Sequence, residues 1–134
     1  ERKWDGVRLQ GAVLVHPFFG GEERIGCELE VDAEVEGFNV MTDAIWSISL
    51  PGGADKDHPF RNPVGPRSPA LSTLVYPRTL VFVAGKDLLR ARGIWYFQSL
   101  KKAGKEVDLV TTEDEAHVFH LFNQKSENTL LMLK

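Results

Sequence analysis

The stretch TLVFVAG-KDLLRARGIWYFQSLKKAGK-EVDLVTT, residues 79–112, constrains the fold more than any other part of the chain. Its ends, TLVFVAG (79–85) and EVDLVTT (106–112), are apolar, β-branched runs with little alternation. Between them Leu89, Gly93, Phe97, Leu100 and Ala103 recur at steps of three and four, so they share one helical face. Lys101 and Lys102 fall in the last turn, where cations suit the helix dipole, and Gly104 is a C-terminal stop. Strand, helix and strand make a right-handed βαβ unit. Near-continuous apolar strands imply a parallel sheet covered on both faces. GAVLVHPFF (11–19), closed by Gly-Gly, reads as a third such strand.

The remaining segments attach to this unit as one domain, residues 1–134. The link over 20–78 is too long for a plain loop. Thr42 is positioned to cap a helix over 43–50, with Asp43 in its first turn and Ile45, Trp46 and Ser49 on one side. LPGGADKDHPFRNPVGPRSP is crowded with Pro, Gly, Asn and Asp and reads as ordered loop. GGEERIGCELEVDAEVEGF is acidic and weakly periodic, which suggests short helices in a lid or cap. A last helix is expected from about Gln124, with Leu130, Leu131 and Leu133 packing against the sheet.

Composition excludes several classes of function. With 43% hydrophobic and 26% charged residues the chain is globular in character. A net charge of −3 gives no basic field for nucleic acid or an anionic membrane. No apolar run approaches the roughly 20 residues that span a bilayer. ERKWDGVRLQ has no charged-then-apolar layout that would mark export. The single cysteine, Cys27, forms no internal disulfide, reads as a buried small side chain, and fits a reducing, cytoplasmic setting.

In open parallel sheets, functional groups gather just past the carboxyl ends of the strands. Asp87 follows TLVFVAG by two residues, and His117 follows EVDLVTT within one short loop. Neighbouring strands lie about 4.8 Å apart, so loops leaving one edge can bring a carboxylate to an imidazole. A carboxylate that accepts the Nδ1 proton and leaves Nε2 free is the orienting half of a hydrolytic triad. The chain order matches Ser…Asp…His. Spacing alone leaves a plainer reading open, in which Asp87 is a helix cap and His117 a packed structural histidine. A metal pair at His117-x-x-His120 needs a third ligand, and no carboxylate or cysteine is spaced to complete it. His120 reads as packed behind the site, His58 as a loop residue and His16 as a strand-end packing group.

LVHPFFGGEER, GADKDHPFRNP, LVFVAGKDLLRARG with the following WYF, LKKAGKEVDLV and AHVFHLFN together resemble plant carboxylesterases. These are α/β-hydrolases of the hormone-sensitive-lipase-like class, and the resemblance covers nearly the whole chain. It implies an α/β fold corresponding to the C-terminal part of an α/β-hydrolase: three parallel strands, flanking helices and a cap-like insertion. It makes Asp87 the triad acid, His117 the base and His120 structural. Phe18, Phe19 and Val118 become apolar walls for a small-molecule ester.

The family's HGGG oxyanion loop and GDSAG nucleophile elbow precede the strand that here begins near Val7, and neither is found. The serines at 47, 49, 68, 72, 99 and 126 sit in no G-x-S-x-G context, and Gly20-Gly21 lacks the preceding His-Gly run. The expectation is a fragment of a serine carboxylesterase, inactive alone, whose reaction needs no metal or cofactor. Gibberellin receptors share the fold without the catalytic histidine, so His117 argues against that reading. Hydroxyisoflavanone dehydratases keep both residues and stay open, as does a non-catalytic binding module. Without a strand beside it, GAVLVHPFF would expose an apolar edge at residues 12–15 that invites self-association.

Overall fold

A computed structural model of the chain describes Gly6 and residues 8–134. Val7, the expected start of the first strand, lies outside these residues, as do the first five positions of the 1–134 domain. Three strands, β1 (Gly11–Val15), β2 (Arg78–Ala84) and β3 (Val107–Thr112), form a parallel sheet in the order β1-β2-β3. The first strand is shorter than the apolar run that announced it. His16 turns into the left-handed region at φ 47, and Pro17 follows.

The helix between β2 and β3, α2 (Arg90–Lys102), ends as its sequence foretold, with Gly104 at φ +73 just beyond the cap. It lies on the face of the sheet formed by Leu14, Val81, Val83 and Leu109. Val81 and Leu100 are fully buried there, each contributing about 1.5–3 kcal/mol. Gly93 sets the approach: a Cβ at this position would stand 2.7 Å from Val83 Cγ1. The opposite face departs from the expected double cover. Register places Val13 beside Leu80 and Asp108, and Val15 beside Phe82 and Val110. On that face Val13 is 62% exposed and Val110 40% exposed.

The long link also differs from expectation. Helix α1 runs Ala33–Ser49 and is capped by Asp32, whose carboxylate accepts the Glu34 N–H. Thr42 is not the cap; it is buried mid-helix and donates to the Asn39 carbonyl. Glu34 and Glu36 in the first turn favour this earlier start. The expected lid is therefore a single 3-10 turn, Gly26–Leu29, followed by the first turns of α1. Arg92 of α2 anchors it by gripping Glu28 through Nε (2.8 Å) and Nη2 (2.7 Å). Asp43 gathers Arg24, Lys56 and Arg61, tying α1 to the proline-rich loop.

At the other end a single turn, α3 (Phe119–Phe122), precedes α4 (Glu127–Met132), capped by Ser126. Leu130, Leu131 and Leu133 do not pack on the sheet: they are 51%, 59% and 70% exposed, while Thr129 is buried. This six-residue helix contacts α3 instead. No helix among the described residues is long and apolar enough to cross a membrane.

Candidate active site

Strand pairing continues past the ends of β2 and β3. Gly85 N–H donates to the Thr112 carbonyl and Lys86 N–H to that of Glu115, both at 2.9 Å. The two loops thus leave the sheet bonded together. Gly85 makes this crossing possible, because a Cβ there would stand 1.9 Å from the Glu113 carbonyl oxygen.

Asp87 occupies the first of these loops, and the cap of α2 is Leu89, two residues further on. Asp87 Oδ1 accepts the Leu89 N–H at 2.8 Å, as a residue preceding a helix often does, and its Oδ2 lies 2.7 Å from His117 Nδ1. The carboxylate is nearly buried, whereas the His117 side chain is 40% exposed. A carboxylate in this place can accept an Nδ1 proton, an arrangement that leaves the other nitrogen, Nε2, free to accept one.

His16 stands against this pair. Its ring centroid is 5.7 Å from that of His117, 5.6 Å from Phe119 and 5.6 Å from His120. It does pack at the strand end, but its Nδ1 also accepts the Val118 N–H at 2.8 Å. Burial pushes the imidazole below its usual 6.5; Asp87 opposes that shift, and His117 and His120 add to it. No local signal could have revealed the bond, because its partners are 102 residues apart. His120 packs edge-on to His16 and Phe119, and His58 stays in its loop against Phe60.

Potential ligand atoms of His16, Asp87 and His117 lie within 4.8 Å of one another, a set different from the His117–His120 pair. Its donors are poorly suited to a cation. His16 Nδ1 is engaged by Val118, and a metal would have to displace the proton shared by Asp87 and His117.

The remaining sequence candidates are spread around the site. Val118 follows His117 in the left-handed region, at φ 48. Phe18 stacks on Trp46, with centroids 5.3 Å apart, and Trp46 lines an open cleft of about 480 Å³. Phe19 turns to the core and packs on Tyr96 at 4.9 Å. Gly20 and Gly21 make room for buried side chains: added Cβ atoms would meet Arg61 at 2.6 Å and Asn62 at 2.8 Å. The hydroxyls of Ser47, Ser49, Ser68 and Ser99 donate to backbone carbonyls, and no serine hydroxyl meets His117 among the described residues.

Comparison with known proteins agrees with this architecture. Residues 1–121 match the alpha/beta hydrolase fold family. The chain is 37% identical over 131 residues to the chloroplastic tuliposide A-converting enzyme 1 of Tulipa gesneriana, covering 96% of this chain and 33% of that protein. It is 38% identical to the 2-hydroxyisoflavanone dehydratase of Glycyrrhiza echinata, covering 92% of this chain and 38% of that one. A gibberellin receptor of Arabidopsis thaliana is 42% identical over 106 residues, covering 79% of this chain and 30% of the receptor. The chain thus spans about a third of the length of these relatives.

Among solved structures, an esterase of Pyrobaculum calidifontis superposes with a TM-score of 0.70 at 20% identity, covering 93% of this chain and 40% of that one. A thermostable esterase of Pseudomonas putida gives 0.66 at 21%, covering 92% and 38%. These two likenesses speak to the fold. With the sheet, the family match and the plant relatives in agreement, the chain belongs to the alpha/beta hydrolase fold family, in the branch that holds the plant carboxylesterases.

Proposed function

We propose that Asp87 and His117 are the acid and base of a carboxylic ester hydrolase whose nucleophile comes from residues outside this sequence. The observation that carries the reading is the 2.7 Å contact between Asp87 Oδ2 and His117 Nδ1, with Asp87 held from behind by Leu89 N–H. In the intact enzyme a serine attacks the ester carbonyl while His117 Nε2 takes its proton. The same nitrogen then returns the proton to the leaving alcohol. Asp87 keeps the imidazole in the tautomer that leaves Nε2 free, and backbone N–H groups outside this sequence hold the oxyanion. Phe18 and Val118 would wall the acyl or alcohol group of a small-molecule ester, whereas Phe19 is turned to the core against Tyr96. The lone cysteine suits a reducing compartment, which the cytoplasm provides; two relatives are named as chloroplastic.

The test uses a longer protein that contains this chain. There His117→Ala should lower kcat on a p-nitrophenyl acyl ester by about 10⁴-fold or more. The 134-residue chain alone should hydrolyse that ester no faster than its own His117→Ala variant. Turnover by the chain that disappears when one of its serines is replaced would contradict an external nucleophile. A full-length His117→Ala variant with unchanged kcat would refute the base. The likeness to a dehydratase favours a second reading, in which the same pair abstracts a proton for loss of water. Elimination without ester hydrolysis by the longer protein would select it.

A further inference from the structure

We propose that His16 is a positioning residue for His117, holding the loop that carries the base to the end of β1. The inference rests on the reading of His117 as base, and its own evidence is geometric. Val118, directly after His117, donates its N–H to His16 Nδ1 at 2.8 Å. Both bonded residues adopt the left-handed region, His16 at φ 47 and Val118 at φ 48, and they are the only non-glycine residues to do so among those described. That region is uncommon for histidine and an outlier for a β-branched residue. Strain at both partners of one hydrogen bond indicates that the bond, not the local sequence, sets the conformation.

The arrangement also dictates the state of His16. An Nδ1 that accepts cannot carry a proton, so the neutral ring is the Nε2–H tautomer. Pairing is thus neutral on the His16 side and places no second positive charge beside the base. The bond spans 102 residues and links the two outer strands of the described sheet across β2, because Val118 follows β3 and His16 follows β1. A packing residue of similar size, such as phenylalanine, would fill the space against Phe119 but would leave the Val118 N–H without an acceptor.

Two substitutions separate the bond from the backbone. Asparagine presents its side-chain oxygen near the position of Nδ1 and tolerates positive φ. Glycine tolerates positive φ and removes the acceptor. Amide exchange at Val118 and the imidazole NMR signals of His117 are followed in the 134-residue chain, with Leu80–Val83 amides reporting the core. In His16→Gly, Val118 should exchange about tenfold faster or more, and the His117 Nδ1–H signal should broaden. His16→Asn should keep both as in the unsubstituted chain. A Val118 amide equally protected in His16→Gly would overturn the proposal, as would equal loosening in His16→Asn. If His16→Gly loses protection at Leu80–Val83, His16→Asn decides alone: retained protection at Val118 supports the bond and a tenfold loss overturns it. Lack of a His117 Nδ1–H signal in the unsubstituted chain would count against the base itself, whereas the Val118 amide reports on His16 whatever His117 does.

Discussion

Asp87 and His117 lie 2.7 Å apart, yet they are held there by different means. Asp87 follows the central strand and is fixed by its neighbours: Leu89 N–H bonds its side chain and Arg90 N–H its carbonyl. It is nearly buried. His117 follows an outer strand and is far more exposed, and its flanking backbone is fixed from a distance. Glu113 crosses over Gly85, Lys86 N–H bonds Glu115, and His16 takes Val118. Asp87 is therefore placed by the local β2–α2 turn, and His117 by tertiary structure. Changes remote from the pair should move His117 and leave Asp87 in place.

The Gly85 crossing is the strongest lever on that difference. Gly85→Ala would put a methyl group 1.9 Å from a backbone oxygen that no side-chain rotation can relieve. It should cost about 3 kcal/mol in urea unfolding and detach His117 from Asp87 while Leu89 N–H keeps its bond to Asp87. A cost below about 0.5 kcal/mol would mean that the loops are not held at this crossing.

Next comes the strand that bears His16. β1 is paired with β2 alone among the described strands. Its His16 N–H points inward to the Phe82 carbonyl, so by alternation the amides of Val13 and Val15 point outward. In dilute monomer these two should exchange at least about tenfold faster than Leu80–Val83. Pairing of two copies through this edge would protect them as concentration rises, which is the self-association expected of a bare edge. Equal protection in a monomer would show that β1 is covered and that His16 is anchored on a shielded strand.

The smallest effect is on pH dependence. The folded pKa of His16 lies below 6.5, so as pH falls through 6.5 the unfolded chain takes up the proton first. Stability should fall there and level off below the folded value. One such proton contributes at most about 1.4 kcal/mol per pH unit. The groups facing His16 are Asp87, His117 and His120, all present in His16→Asn, so the difference between the two proteins isolates this residue. Asp43 and Asp57 are held below 3.8, Asp43 against its partial burial by Lys56 and Arg61, Asp57 by Glu22 N–H and Asn62. Their contributions are present above 3.8 and vanish only at lower pH. Identical pH profiles for the unsubstituted chain and His16→Asn would remove His16 from this account.

The same contrast explains what could be read from the sequence. β2, α2 and β3 were legible because their apolar pattern is dense and their partners adjoin in sequence. Asp87 was legible for that reason too. Helix α1 was misread because only Val35 and Thr42 are buried, so its apolar period is faint and Thr42 resembled a cap. The leucines of α4 offered a pattern with no cover to meet it. His16 could not be found at all, because a bond between a ring nitrogen and an amide 102 residues away leaves no periodic trace.

Whether Asp87 fixes the His117 tautomer is read on this chain by imidazole ¹H–¹⁵N correlation under mildly alkaline conditions. The expected result is a proton on His117 Nδ1 with Nε2 unprotonated, and loss of that preference in Asp87→Ala. A proton on Nε2 in the unsubstituted chain, or a tautomer indifferent to Asp87→Ala, would contradict it.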